Sequence, residues 1–170
     1  MKKTLWVILG ILAVLVLWGG AKYNSLIKTE EKMQQAWSQV ENVYQRRLDL
    51  IPNLIAVVKS YEDYEQNTLV EVVEARAQLA QTNVINPNTA TQEQLSGYEN
   101  TQQLLDDAVN DVIVSIENYP DLKAVESYQT FLAQYEGSEN RILVERKRYN
   151  AMVQDYNKSV RNFPGNLIAR

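Results

Sequence analysis

The segment LWVILGILAVLVLWGGA, residues 5–21, decides the class of this protein because it contains no charged side chain. Its length approaches the ~20 apolar residues that an α-helix needs to cross the hydrocarbon core of a bilayer. Trp6, Trp18 and Tyr23 bracket the segment, as aromatic residues do at the two membrane interfaces. The sequence therefore predicts a transmembrane anchor over residues 1–22, in contact with the lipid bilayer through residues 5–21.

A cleaved secretory signal is the alternative to a retained anchor, because Gly19 and Ala21 are small residues at the spacing of a cleavage site. The apolar run is long for a signal peptide, which favours the anchor. Lys2 and Lys3 precede the run, and a short basic N-terminus before a first span usually stays inside. We expect a single-pass membrane protein, with its N-terminus in the cytoplasm and the rest of the chain on the extracytoplasmic side.

Beyond the anchor, apolar side chains recur every three or four residues in four series, each typical of a helix that buries one face. The series run from Tyr23 to Leu48, Ile51 to Leu79, Leu95 to Ile116 and Leu122 to Phe163. Thr91 and Gln94 have the spacing of a capping box at the start of the third helix. Similar helix lengths and short corners predict an all-α fold, in which the transmembrane helix is followed by an antiparallel four-helix bundle with long helices over residues 23–164.

In that topology the fourth helix returns to the membrane, so the short tail of residues 165–170 ends near the bilayer. Leu167 and Ile168 are apolar and could contact lipid there. A frayed tail is the alternative, because chain termini are often poorly ordered.

The segment YQRRLDLIPNLI, residues 44–55, combines two arginines, an aspartate and a proline within an apolar stripe. We interpret it as the first membrane-distal corner of the bundle. Asp49 would cap the second helix and Pro52 would lie in its first turn, where a proline is tolerated. Arg46 and Arg47 would then lie at a helix C-terminus, where the helix dipole favours cations.

The corner next to it would be ENYPDLK, residues 117–123, in which Pro120 begins a helix. Glu117 or Asp121 could pair with the two arginines and clasp the end of the bundle. A partner-docking patch is the alternative, although surface ion pairs are common without a partner. The candidate structural or interaction residues of the two corners are Arg46, Arg47, Asp49, Pro52, Asn53, Glu117 and Asp121.

Charged residues also fall on the apolar stripes, where burial requires a partner for each charge. These residues are Arg47, Glu65, Arg76, Glu139 and Arg146. An internal ion network that fixes helix register is one interpretation, and a metal site is the other. Metal centres of the di-iron type in helical bundles use histidine besides carboxylates, and this chain has no histidine. The network is therefore favoured.

Composition excludes several function classes. The chain of 170 residues has no cysteine and no histidine, which excludes thiol nucleophiles, catalytic imidazoles and zinc sites of the Cys/His kind. A net charge of −4 argues against nucleic-acid binding, which normally uses a basic face. We expect no enzyme activity, no catalytic residues, no metal and no cofactor.

Four motifs make a family resemblance specific: RRLDLIPNL (46–54), YPDLKA (119–124), EGSENRI (136–142) and RYNAMVQDYN (148–157). With them, nearly the whole chain resembles the LemA family of bacterial membrane proteins. The resemblance implies one N-terminal transmembrane helix, an antiparallel helical domain and no established reaction or cofactor. It also implies a membrane-associated partner or scaffold, with links to membrane proteases and membrane remodelling.

We therefore expect a non-catalytic interaction or scaffold module at the membrane, whose partner is an unidentified membrane or envelope protein. One alternative is an adaptor or regulator of a membrane metalloprotease. Another is a protein that shapes membranes by self-association into a homo-oligomer.

Overall fold

The computed structural model describes residues 2–61, 67–81, 85 and 90–168. These residues form α-helices, with no β-strand among them. The helices are α1 (Lys2–Lys59), α2 (Asn67–Gln81), α3 (Gln92–Ile116), α4 (Pro120–Lys123), α5 (Glu126–Arg161) and α6 (Gly165–Ile168). The predicted all-α class is confirmed, with a long apolar N-terminal helix followed by further helices.

Helix α1 passes without interruption through residues 44–55, so the predicted corner there is wrong. Pro52 lies inside the helix with its ring exposed, and it has no N–H to donate to the carbonyl of Leu48. An interior proline costs about 3 kcal/mol. Burial of an aliphatic side chain contributes about 1.5–3 kcal/mol, and Ile51, Leu54 and Val58 are all fully buried on the inner face of α1. Their combined burial outweighs the single lost hydrogen bond.

The first corner follows Lys59 instead. The N–H of Ser60 bonds to the carbonyls of Ala56 and Val57, which closes the last turn of α1. Tyr61 follows, and its ring meets the ring of Tyr119 edge-on at 6.1 Å between centroids. The α1 end and the turn after α3 therefore lie at the same end of the helical unit.

Two other local predictions are confirmed. The side chain of Thr91 accepts a hydrogen bond from the N–H of Gln94, and the side chain of Gln94 accepts one from the N–H of Thr91, so a complete capping box begins α3. Pro120 occupies the first turn of α4, the short helix that leads to α5. Both motifs satisfy or avoid backbone donors that a helix start leaves without partners.

The chain forms two compact units, Gln39–Glu145 and Met1–Ser38 with Arg146–Arg170. In the unit Gln39–Glu145, the apolar faces that the sequence predicts pack against one another. Its fully buried side chains are Val40, Ile51, Leu54, Val58, Val72, Leu105, Val109, Val112, Ile116, Leu122 and Tyr128. The ring contacts Tyr44–Tyr98 and Tyr61–Tyr119 show that α1 and α3 run parallel in this unit, as an up-down-up-down order requires.

The second unit contains the apolar segment of α1. That segment is long and apolar enough to cross a membrane and none of it is buried, which indicates a membrane location. Farther along α1, Met33, Ala36 and Trp37 are buried. The ring of Trp37 packs against Tyr149 of α5 at 5.0 Å between centroids.

Candidate functional site: a buried arginine cluster

The most unusual feature of the unit Gln39–Glu145 is a buried arginine. Arg47 lies on the inner face of α1 with 3% of its side chain exposed. Its Nη2 donates to the backbone carbonyl of Gln102 at 3.0 Å and to the side-chain oxygen of Gln102 at 2.7 Å. Its Nη1 donates to Glu139 Oε1 at 2.8 Å. One residue of α1 therefore connects α3 to α5 inside the core.

A second carboxylate completes the set. Asp106 Oδ1 lies 3.6 Å from Arg47 Nη1 and accepts a hydrogen bond of 2.7 Å from the hydroxyl of Tyr135. Gln102 and Asp106 are four residues apart on α3, and Tyr135 and Glu139 are four apart on α5, so each helix presents two polar groups from one face. We call Arg47, Gln102, Asp106, Tyr135 and Glu139 the arginine cluster.

Burial governs the protonation of the tyrosine in this cluster. Loss of water contact raises the pKa of Tyr135, and the hydrogen bond to Asp106 raises it further. The nearby charge of Arg47 acts in the opposite direction but is the smaller effect. Tyr135 is therefore a neutral donor throughout the physiological range.

Aromatic rings cover one side of Arg47. The guanidinium carbon lies 5.4 Å from the centroid of the Tyr44 ring, within the range of a cation–π contact. Tyr44 in turn meets Tyr98 edge-on at 5.9 Å. Burial also raises the pKa of Tyr98, so its hydroxyl remains neutral below alkaline pH. A cavity of about 260 Å³ adjoins these rings, lined by Glu41, Asn42, Tyr44, Gln45, Leu48, Leu79, Tyr98 and Gln102.

The geometry supports a structural role for the cluster. Its ionised groups pair with one another, and charge-assisted hydrogen bonds of this kind depend strongly on position. Sliding α5 by one turn, about 5.4 Å, would leave Arg47 without Glu139 inside the core. Within the described residues, no group of three or more aspartates and glutamates could hold a metal ion. This dependence on position favours a role of the cluster in the register of α1, α3 and α5.

The structure corrects the predicted clasp between two corners. Arg47 pairs with Glu139 and Asp106, about 18 Å along α1 from the corner after Lys59. Glu117 instead lies near Lys123, with 3.7 Å between their charged atoms. The clasp prediction is wrong because it depended on a corner at residues 44–55.

The other predicted corner residues have different surroundings. Arg46 is exposed in mid-helix, and Asp49 accepts a hydrogen bond of 2.9 Å from Gln45 on the surface of α1 rather than capping a helix. Asp121 is exposed in the first turn of α4. Asn53 lines an open groove with Val57, Phe131 and other residues of α1 and α5. The capping role predicted for Asp49 is therefore wrong.

The other four stripe charges have different surroundings. Glu65 lies outside the described residues. Arg76 is half-buried on α2, with its Nε enclosed and without a hydrogen-bond partner within the described part of the chain. Arg146 is exposed, so its predicted position on the inner side of the fourth long helix is wrong. Among the stripe charges that the structure describes, Glu139 joins Arg47.

Three members of the arginine cluster escaped prediction: Gln102, Asp106 and Tyr135. The signal for Gln102 is present, since it occupies the stripe position between Tyr98 and Leu105 at steps of four and three residues. A polar residue at a core position requires a partner, which points to a buried network. Periodicity alone does not identify which partner.

Comparisons with known proteins find a matching family model and several related proteins. The model of the LemA family matches residues 36–170. The chain is 24% identical over 164 residues to "Magnetosome protein MamQ 2" of Paramagnetospirillum magneticum, with 87% of the chain and 60% of that protein covered. It is 25% identical over 147 residues to "Protein LemA" of Metamycoplasma hominis, with 86% and 63% covered. The chain thus spans about three fifths of the length of these relatives.

Proposed function

The chain belongs to the LemA family, and from that premise we propose that it is a membrane-anchored interaction module that presents a helical domain to another membrane or envelope protein. The observation that carries the proposal is the continuity of α1. One helix contains both the unburied apolar segment and the buried stripe of the helical domain, with no non-helical residue between them.

The exposure of the apolar segment supports the proposed anchor. Its side chains are exposed on every face of the helix, from Leu5 to Trp18. A helix that is apolar all round and unburied needs an apolar solvent, and the hydrocarbon core of a bilayer provides one. The helical form itself satisfies every backbone donor and acceptor within the segment.

The interaction role is supported by how the domain uses its polar and apolar groups. The arginine cluster commits its charges internally, which suits a scaffold more than a reaction centre. Outside the core, neighbouring apolar pairs face solvent on two helices: Val70 and Val73 on α2, and Leu143 and Val144 on α5. Exposed apolar surface of this kind is a common feature of contact sites.

Site-specific photo-cross-linking in native membranes tests the proposal. A photoreactive amino acid at Leu143 should give one or a few discrete adducts with another membrane or envelope protein. The same probe at Asn110, an exposed polar position on α3, serves as the matched control and should give markedly less.

Two outcomes count against the proposal. Adducts that contain only a second copy of this chain would favour self-association, the form that a membrane-shaping role requires. No adduct from probes at Leu143 and Val73 would remove the interaction surface altogether.

A further inference from the structure

We propose that residues 158–167 form a membrane-surface element that docks on anionic lipid headgroups beside the membrane-spanning part of α1. This inference rests on the proposed anchor and deepens it by naming a second lipid contact. It concerns only the unit Met1–Ser38 with Arg146–Arg170.

Two contacts determine where α5 lies along α1 in this unit. The ring of Trp37 packs on Tyr149. Buried Gly165 lies against the side chain of Leu26, close enough that a Cβ on the glycine would be 3.5 Å from Leu26 Cδ1. From the first contact to the second, the chain advances from residue 149 to residue 165, while the contacted position on α1 moves back from residue 37 to residue 26. The C-terminal end of α5 therefore runs toward the membrane-spanning segment.

The two contacts give the same position of the C-terminal end of α5 along α1. The twelve residues from Tyr149 to Arg161 rise about 18 Å, and the same distance from Trp37 leads down α1 to residue 25. That is next to Leu26, where Gly165 is found. Leu26 lies five residues, or about 7.5 Å, beyond the end of the apolar segment at Ala21. The headgroup region of each leaflet is roughly 5–8 Å thick. Residues 161–167 thus lie at the level of the headgroups.

Apolar side chains point away from the protein at this level. Phe163 is 75% exposed and Leu167 is 65% exposed, although Gly165 between them is buried. Gly165 is required because a Cβ there would collide with the backbone carbonyl of Ser159. The turn is therefore packed on the protein and presents an aromatic and an aliphatic side chain outward, which suits the membrane interface.

Basic side chains lie at the same level along α1. Lys158 and Arg161 occupy the last turn of α5 and are exposed, and Lys22 and Lys28 are exposed on α1 just beyond the apolar segment. Asp155 lies 3.8 Å from Lys158 and offsets part of this charge. Glu30 and Glu31 of α1 lie higher, nearer to Met33 than to Ala21. The level of residues 22–28 is net positive, which favours anionic phosphates.

The absence of cysteine from the sequence permits a direct test with single-cysteine variants of the full chain in lipid nanodiscs. A spin label is attached to Leu167→Cys, to Val14→Cys within the span, and to Leu143→Cys as an exposed control at the surface of the helical domain. Collision with oxygen, which concentrates in lipid, is compared with collision with a water-soluble nickel chelate. The nanodiscs contain phosphatidylcholine alone or with an equal part of phosphatidylglycerol.

We expect the ratio of oxygen to nickel collisions at Leu167 to lie between the high value at Val14 and the low value at Leu143. Adding phosphatidylglycerol should lower nickel collision at Leu167 by roughly two-fold, because the basic side chains draw the segment toward the anionic surface. The double change Lys158→Gln and Arg161→Gln should abolish that lipid dependence while Val14 is unaffected.

The contradicting outcomes are distinct. If Val14 is in lipid but Leu167 matches Leu143, docking is wrong while the anchor stands. If Val14 itself is open to the nickel chelate, the anchor fails and docking fails with it. If Leu167 is shielded from both reagents, a protein covers the segment, and the lipid proposal is overturned.

Discussion

The guanidinium of Arg47 is almost completely removed from water, and it is shared by two carboxylates and one amide side chain. Removing one member of a buried ion pair normally costs about 3–5 kcal/mol, because the remaining charge stays buried and unpaired. Asp106 and Glu139 retain 22% and 34% exposure, so water can compensate part of the loss. The cluster therefore stabilises the fold most through its cation.

Replacement of Arg47 by methionine should lower the free energy of unfolding by roughly 2–3 kcal/mol. The matched control is Arg46→Met, one residue earlier and exposed, which should change stability by less than about 0.5 kcal/mol. Urea unfolding of both variants, followed by circular dichroism, measures the difference. Equal midpoints for the two variants would show that Arg47 does not hold the core together. Glu139→Gln should give a smaller loss than Arg47→Met because Glu139 is partly solvated.

Tyr135 predicts a pH dependence with a defined sign. Its pKa is raised by burial and by Asp106, so the folded state retains the phenolic proton where the unfolded state has lost it. Its contribution is complete below the ordinary tyrosine pKa of 10 and is lost as the pH rises above that value. Stability should therefore fall above pH 10, by up to about 1.4 kcal/mol per pH unit from this group.

The variant Tyr135→Phe isolates this effect. Below pH 10 it should be less stable by about 1–2 kcal/mol, since Asp106 loses its donor. Above pH 10 the difference from the native chain should shrink, because phenylalanine has no proton to lose. Parallel unfolding curves with a constant difference across this pH range would contradict the assigned hydrogen bond.

At the scale of elements, α1 shows what the sequence could and could not predict. The apolar period identified the buried face correctly, and it continues without a phase change through Leu48, Ile51, Leu54 and Val58. Asp49 and Pro52 predict a corner when only local propensity is considered, but the apolar period does not break at these residues. Burial is a tertiary effect, and here it outweighs the local cost of a proline.

That single error explains why the pairing of Arg47 could not be predicted. Moving the corner from residue 50 to residue 60 shifts α1 by ten residues, about 15 Å, against α3 and α5. The face of Arg47 remains the same, but the groups at its level change from Glu117 and Asp121 to Asp106 and Glu139. The apolar period determines which face of a helix is buried. The positions of the corners determine which residues of neighbouring helices lie at the same level.

Pro52→Ala tests the continuity of α1. In an uninterrupted helix alanine restores the hydrogen bond to the carbonyl of Leu48 and should stabilise the fold by about 1–3 kcal/mol. Asn53→Ala, at the next exposed position, should gain only about 0.5 kcal/mol from helix propensity. If Pro52→Ala is neutral or destabilising in thermal unfolding, the proline begins a helix rather than interrupting one.

At the scale of the whole molecule, the proposed function requires that residues 5–21 cross a bilayer. Lys3 precedes this segment and Gln154 lies beyond it, on the part of α5 that belongs to the same compact unit. Both side chains are exposed. A span between them requires that they lie on opposite sides of the membrane, and the basic N-terminus predicts that Lys3 is inside.

The most direct test is therefore labelling of Lys3→Cys and Gln154→Cys with a membrane-impermeant maleimide, in intact cells and after permeabilisation. We predict that Gln154→Cys reacts in intact cells, whereas Lys3→Cys reacts only after permeabilisation. The reverse pattern would invert the orientation but preserve the span. Reaction of both positions from the same side would contradict the membrane-crossing anchor, and with it the proposed function.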